Sequence, residues 1–167
     1  LHEILGPLAR RAEGLQRFAT AYRALARLPG PITRPVAVEE FLTDLARSFG
    51  GRWPSIAFEL SAPDGLIWPM DRDQMNQAVW ALLCNAAEAA QENAEPRVSL
   101  TITTDGGQLG IAVADSGPGV QPERAALIFR PFHSTKPDGS GIGLSLTRQI
   151  VLAHGGFLEL AGAQPTL

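Results

Sequence analysis

The stretch VWALLCNAAEAA at residues 79–90 sets one carboxamide, Asn85, into an otherwise apolar helical pattern. Asp71 is a favourable N-cap residue, so we predict a helix from Asp71 to about Asn93. Its buried face is expected to carry Met75, Val79, Leu82, Leu83 and Ala86. A carboxamide on such a face costs free energy unless its hydrogen bonds are met. Asn85 is therefore either bonded to neighbouring backbone or an oxygen ligand of Mg²⁺, with Glu88 one turn later on its face.

Alternating apolar side chains predict short strands around this helix. They lie at 56–60, 98–102 and 109–115, and the turn Asp105-Gly106-Gly107 joins the last two as an antiparallel hairpin. Another strand is predicted through Phe157 and Leu160.

Two further helices are predicted, at 38–49 and at about 142–154. Residues 116–140 are too rich in glycine and proline for a regular element. Helices that alternate with strands, one pair of them a hairpin, favour an α/β fold. We expect a two-layer sandwich in which helices cover one face of a mixed sheet.

The composition is that of a chain that buries a core, since 45% of its 167 residues are hydrophobic and 19% are charged. A net charge of −3 argues against a nucleic-acid binder that depends on electrostatics, so no nucleic-acid partner is expected. The longest apolar run, 79–84, is too short to cross a bilayer, and no signal-peptide pattern opens the chain. The single cysteine, Cys84, fits a reducing compartment. We expect a cytoplasmic location, with any tether to the inner membrane outside this sequence.

A heptad stripe runs through residues 1–28, formed by Leu1, Leu8, Leu15 and Tyr22. The stripe favours a dimerisation helix, and an amphipathic helix docked on its own domain is the alternative. Prolines and a glycine make residues 29–37 a stiff linker, and residues 38–167 form the compact domain.

The segment Asp115-Ser116-Gly117-Pro118-Gly119 follows the predicted hairpin. A strand that ends at Asp115 delivers a carboxylate to its tip, and Gly117 and Gly119 let the backbone pass close to a ligand. A carboxylate accepts hydrogen bonds from an exocyclic amine such as that of adenine. A simple turn after a strand is the alternative.

Glycines alternate at the start of the last helix, in the segment DGSGIGL at residues 138–144. Bare amides at a helix start attract an anion, and Lys136 adds a positive charge upstream. The segment is not a P-loop, because no Gly-Lys-Ser or Gly-Lys-Thr follows. Asn85, Asp115 and the glycines, in that order, suit a metal ligand, a base reader and a phosphate cradle for a magnesium nucleotide.

These segments resemble the catalytic, ATP-binding domain of sensor histidine kinases, in the superfamily that includes gyrase, Hsp90 and MutL. The resemblance covers about residues 38–162 and includes the short lid of the nitrogen-regulation type. It rests on motifs similar to the family's asparagine, first glycine, phenylalanine and second glycine boxes, which are NAAEA at 85–89, DSGPG at 115–119, IFRPFHSTK at 128–136 and GSGIGLSL at 139–146. Phe129 and Phe132 either anchor the lid or belong to the core.

The resemblance implies a Bergerat-type fold that holds ATP under the lid. It implies that Asn85 holds Mg²⁺ and that Lys136 contacts the terminal phosphate. Asp115 would read adenine, with Gly117 and Gly119 beside the base. The other residues that the resemblance assigns to ATP are Glu88, Gly139, Ser140, Gly141, Ile142, Gly143 and Leu144.

The resemblance also implies a two-component histidine kinase that works as a homodimer through residues 1–28. It would transfer the γ-phosphoryl group of ATP to a histidine and then to the receiver domain of a response regulator. His2 resembles the start of the acceptor motif, with Glu3 as its carboxylate partner. The alternative is that this likeness is accidental, because too few residues precede the linker to form a helical hairpin. Ala81 stands where hydrolytic relatives carry a polar residue, which argues against hydrolysis. A nucleotide-binding regulatory module without transfer activity is the alternative function.

Overall fold

A computed structural model describes residues 28–125, 127–133 and 141–161, together with Ala19. The predicted dimerisation helix over residues 1–28 therefore lies almost entirely outside the described residues. Within those ranges, no helix combines the length and the apolar character that crossing a bilayer requires.

The helices of the described residues agree with most of the sequence prediction. They are α1 (Val38–Arg52), α2 (Arg72–Ala90), α3 (Pro122–Ala125) and α4 (Gly143–Ala153). Asp71 caps α2 as predicted, because its side chain accepts a hydrogen bond from the Gln74 backbone N–H at 3.1 Å. The short α3 lies within residues 116–140, where no regular element was expected. That expectation is wrong at this turn, where the fixed φ of Pro122 suits the first position of a helix.

The described strands form a three-stranded sheet and a separate pair. In the larger sheet, β2 (Ala57–Ser61) runs parallel to β4 (Arg97–Asp105), which pairs antiparallel with β5 (Gln108–Asp115). The mixed sheet and the hairpin are thus confirmed. In the smaller pair, β1 (Arg34–Ala37) runs antiparallel to β3 (Ile67–Met70). Neither of these two strands is predicted above, and β1 lies within the range assigned to the linker.

One apolar core joins the larger sheet to the helices. In the first six residues of β4 every second residue is buried, namely Val98, Leu100 and Ile102. These side chains belong to one cluster with the buried faces of α1 and α2. Of the apolar residues predicted on α2, only Leu82 is half-buried rather than buried. The two-layer α/β sandwich is therefore confirmed.

The helices α2 and α4 pack side by side and run in opposite directions. At the end of α4, His154 Nε2 accepts a hydrogen bond from the backbone N–H of Asp71 at 3.2 Å. Further along, the buried hydroxyl of Thr147 lies 3.3 Å from the carbonyl oxygen of Ala78. Because α2 continues well beyond Ala78, its second half extends past the start of α4.

The strand predicted through Phe157 and Leu160 is not formed in residues 157–161. Phe157 is 70% exposed and Leu160 is 38% exposed. Among the described residues, no strand pairs with the outer edge of β5. An alternating sequence forms a strand only where a neighbour supplies the ladder of hydrogen bonds, so the pattern alone was not sufficient.

Candidate functional site

The second half of α2 presents three residues on one face, Ala81, Asn85 and Ala89. Each follows the previous one by four residues, so they form a stripe that rises by about 6 Å at each step. We call this face the asparagine stripe. Asn85 is half-buried rather than buried as predicted. Part of the residue is therefore open to solvent.

The start of α4 lies against the first residue of the asparagine stripe. A β-carbon built on Gly143 would lie 3.8 Å from the Ala81 β-carbon, which is ordinary van der Waals contact. Within the described ranges, no side chain caps this helix, whose N-cap residue is Ile142. The Ser145 hydroxyl donates to the Ile142 carbonyl oxygen at 2.8 Å. Uncapped amides at a helix start, aided by the helix dipole, form a favourable place for an anion.

The glycine loop after β5 lies against the last residue of the same stripe. A β-carbon on Gly117 would lie 2.8 Å from both the carbonyl carbon and the β-carbon of Ala89. The Gly117 N–H donates to Asp115 Oδ1 at 2.8 Å, which fixes the carboxylate at the end of the strand. Gly119 has a φ of 75°, a conformation that favours glycine. Gly117 is therefore needed first for packing on α2, a role that the sequence did not show.

Ser116 attaches this loop to the start of β4. Its N–H donates to the Arg97 carbonyl oxygen at 3.0 Å, and its hydroxyl accepts from the Arg97 N–H at 3.0 Å. The side-chain amide of Asn93 donates to the Ser116 carbonyl oxygen at 2.8 Å. The loop is thus held from two sides, which keeps Asp115 in one position. Sequence reasoning missed the role of Asn93 and Ser116 in holding this loop. The only signal in the sequence was the preference of both residue types for turns.

The described ends of the predicted lid meet each other. The Phe132 N–H donates to the Gly141 carbonyl oxygen at 2.9 Å. A β-carbon on Gly141, which has a φ of 65°, would lie 2.7 Å from the Phe132 carbonyl carbon. Phe132 is 44% exposed and Phe129 is half-buried, so the core alternative does not hold for Phe132. The segment between 133 and 141 therefore begins and ends at one place, beside the start of α4.

Of the remaining predicted site residues, some lie in the described part of the chain and others lie outside it. Glu88 is exposed on α2, and Leu144 is half-buried in the first turn of α4. The Ile142 side chain is 4% exposed and belongs to the core, so any contact with a ligand would come from its backbone. The predicted residues that lie outside the described part of the chain are His2, Glu3, Lys136, Gly139 and Ser140.

A scan of protein families matches residues 70–166 to the histidine kinase-, DNA gyrase B- and HSP90-like ATPases. The matched range includes α2, the loop after β5 and α4. All parts of the candidate site in the described residues therefore lie inside the matched domain.

Comparisons with individual proteins also find sensor proteins and histidine kinases. The C4-dicarboxylate transport sensor protein DctB of Rhizobium meliloti is 34% identical over 87% of this chain and 23% of its own length. The mycobacterial sensor histidine kinase MprB superposes with a TM-score of 0.70 and 30% identity, over 81% of this chain and 89% of that one. Full-length ShkA in complex with AMPPNP has a TM-score of 0.76 and 26% identity, over 98% of this chain and 36% of that one. The chain spans only a minority of the length of the curated sensor proteins it matches.

Proposed function

The chain belongs to the histidine kinase-, DNA gyrase B- and HSP90-like ATPase family, and from this we propose that it is the ATP-binding catalytic part of a two-component sensor histidine kinase. In this proposal, residues 38–167 bind Mg-ATP and residues 1–28 form a dimerisation helix. The γ-phosphoryl group passes to a protein histidine and then to an aspartate on a response-regulator receiver domain. A reaction that consumes ATP suits a cytoplasmic location.

The observation that carries the proposal is the asparagine stripe with its two neighbours. Gly143 lies beside Ala81 at one end, Gly117 packs on Ala89 at the other, and Asn85 stands between them. The two ends of the stripe are about 12 Å apart along the helix axis. An anion-attracting helix start and a fixed carboxylate thus lie at the two ends of one helix face, a spacing that suits the phosphates and the base of a nucleotide.

Asn85 and Glu88 fit the role of magnesium ligands. Both carry oxygen donors, they are one turn apart on α2, and neither is fully buried. Mg²⁺ takes one or two protein oxygens and completes its shell with waters and substrate phosphates. When bound, the ion would neutralise negative charge on the phosphates.

The other predicted residues receive proposed roles from their positions. Asp115 accepts a hydrogen bond from the adenine amine through the oxygen that does not receive the Gly117 N–H. The amides at Gly143 and Leu144 hold phosphate oxygens. Gly141 closes the base of the lid, as its bond with Phe132 supports. Lys136, Gly139 and Ser140, which lie outside the described residues, are proposed to complete the phosphate contacts.

Phosphoryl transfer depends mainly on positioning and on charge neutralisation, because the protein has little covalent chemistry to perform. The uncapped α4 start and the fixed Asp115 carboxylate serve positioning. Ala81, the stripe residue closest to the phosphate end, has no polar group that could orient a water molecule. This favours transfer to an acceptor over hydrolysis. The sensor kinases among the relatives likewise favour transfer over a regulatory module without activity.

The proposal is tested in two steps on the whole chain. Calorimetry with ATP or ADP and excess Mg²⁺ should show binding, and its absence in folded protein would overturn the site. Incubation with ATP labelled at the γ-phosphate should then give an acid-labile, base-stable label, on His2 or on a supplied acceptor hairpin. Loss of the self-label in His2→Ala, with transfer to the supplied hairpin retained, would identify His2 as the acceptor. A protein that binds ATP yet labels neither acceptor would overturn the kinase proposal.

A further inference from the structure

Residues 29–32 are attached to the first turn of α2 by two hydrogen bonds, and we call them the strap. The Pro29 carbonyl oxygen accepts from Gln74 Nε2 at 3.0 Å. The Ile32 backbone N–H donates to Asp71 Oδ2 at 2.8 Å. These bonds join residues 45 and 39 positions apart in the sequence, so they are tertiary contacts that the strap could lose without unfolding α2.

The Gln74 side chain is specialised for this contact. It is only 8% exposed, and its orientation is fixed because its amide nitrogen must face the Pro29 carbonyl oxygen. Its Oε1 atom is buried without a hydrogen-bond partner in the described structure. A half-satisfied buried amide costs stability, and an apolar side chain of similar shape would avoid that cost. The hydrogen bond from Gln74 Nε2 to Pro29 instead fixes where the strap lies along α2. Buried polar groups have the same effect where they fix the alignment of two packed segments.

The contact continues from the strap into α4. Asp71 binds the strap through its carboxylate and donates its own backbone N–H to His154 Nε2 at 3.2 Å. His154 Nδ1 lies 2.8 Å from the Ile150 carbonyl oxygen, which can only accept, so Nδ1 carries the proton and Nε2 is the acceptor. The strap, the start of α2 and the end of α4 are therefore joined by consecutive hydrogen bonds.

Both helices lead from these bonds to the candidate site. The opposite end of α4 is the uncapped start beside Ala81, and α2 carries Asn85. A helix transmits a displacement along its axis because its backbone hydrogen bonds hold the turns together. These bonds give the strap a physical route by which it can act on the position of α4 along the asparagine stripe.

We propose that the strap is a coupling element, whose docking through Gln74 and Asp71 is thermodynamically linked to nucleotide binding on the asparagine stripe, between the start of α4 and the loop after β5. This inference rests on the proposed function. Since linkage is reciprocal, nucleotide must change the docking of the strap by the same factor by which docking changes nucleotide affinity. The strap precedes the compact domain, so the linkage would connect the site to whatever moves residues 1–28.

The test compares Gln74→Met with Gln77→Met in the whole chain. Met removes the bond to Pro29 and also the unpartnered oxygen, so the fold is expected to remain stable. Gln77 is an exposed residue of the same helix and controls for the substitution itself. Hydrogen exchange at the Ile32 amide reports docking directly, and calorimetry with Mg-ADP reports the site.

Coupling predicts that Gln74→Met speeds exchange at Ile32 by about three- to tenfold, the factor expected for one lost hydrogen bond. It also predicts that Mg-ADP changes Ile32 exchange in the unaltered protein, and that Gln74→Met shifts the dissociation constant of Mg-ADP while Gln77→Met does not. Faster exchange with an unchanged dissociation constant would overturn the coupling and leave the proposed function intact. Failure of the unaltered protein to bind Mg-ADP would overturn the proposed function and the coupling together.

Discussion

Gly117 lies so close to Ala89 that an added β-carbon would approach the Ala89 carbonyl carbon to 2.8 Å. Real β-carbons do not tolerate that distance, and the neighbouring atom belongs to helix backbone, which has little freedom to move. The glycine loop and the last turn of α2 are therefore a single packed unit. The position of the Asp115 carboxylate depends on it, because the Gly117 N–H is its hydrogen-bond donor.

Gly117→Ala is expected to lower the free energy of unfolding by about 1–3 kcal/mol, the usual cost of an overpacked site. Nucleotide affinity should fall with it, since the loop must leave α2. Thermal unfolding with and without Mg-ADP measures both effects. Gly50→Ala is the matched control, because an added β-carbon there meets nothing within 4 Å, and this exposed helical position should gain up to about 1 kcal/mol. Equal stability of the two variants would show that the loop is not packed as described.

Gly143→Ala should separate folding from binding. Its β-carbon would make only ordinary contact with Ala81, at 3.8 Å, so unfolding without ligand should be unaffected or slightly disfavoured. Phosphate that approaches the start of α4 would meet the new methyl group, and a loss of about 1.4 kcal/mol in binding corresponds to about tenfold weaker affinity. Calorimetry with ATP and Mg²⁺ gives the dissociation constant. An unchanged value would remove this helix start from the proposed phosphate site.

Asn85→Ala is expected to abolish magnesium-dependent nucleotide binding while the fold remains. The melting temperature without ligand should not fall, because alanine is the better helix former and Asn85 is only half-buried. The rise in melting temperature on adding Mg-ATP should disappear, since a ligand stabilises only the protein that binds it. Asn76→Ala, at an exposed position of the same helix, should retain the full rise. A rise in Asn85→Ala equal to that of the unaltered chain would contradict the metal assignment.

Asp71 should make stability depend on pH on the acid side. Hydrogen bonds from the backbone N–H groups of Gln74 and then Ile32 lower the pKa of Asp71 in the folded protein below its ordinary value of 3.8. The ionised carboxylate therefore contributes its full stabilisation above pH 3.8 and loses it as the pH falls through the folded-state pKa.

Asp71→Asn isolates this contribution. Asparagine is an equally good N-cap, so helix capping is retained, while the bond from Ile32 loses its charged acceptor. Urea unfolding at a series of pH values should show a stability difference between the two proteins that is largest near neutrality and shrinks below pH 3.8. A difference that is constant with pH would mean that ionisation of Asp71 does not stabilise the fold.

The elements that the sequence predicted best are those with a local cause. The cap at Asp71, the apolar periodicity of α2 and the alternation in β4 and β5 each follow from neighbouring residues, and the structure confirms them. The close packing of Gly117 on Ala89 could not be predicted, because it depends on where two distant segments meet. For the same reason the strap and its attachment to Gln74 were not visible in the order of residues.

The strands β1 and β3 were missed for a chemical reason. Pro35 and Pro69 lie within them and stand opposite each other in the register. Proline within a short run usually indicates a connector, because it cannot donate to a sheet. Here the two residues that lack an N–H stand directly opposite each other, so the prolines affect only one paired position of the ribbon.

That opposed pair of prolines also affects how the molecule behaves in a crowded solution. Among the described residues, no third strand pairs with this ribbon on either side. Exposed strand edges can recruit strands from other molecules and start aggregation. Proline is one of the residues by which natural edge strands avoid such pairing, and this ribbon carries one on each strand. The residues that conceal the ribbon in the sequence therefore also belong to the kind that disfavours pairing between molecules.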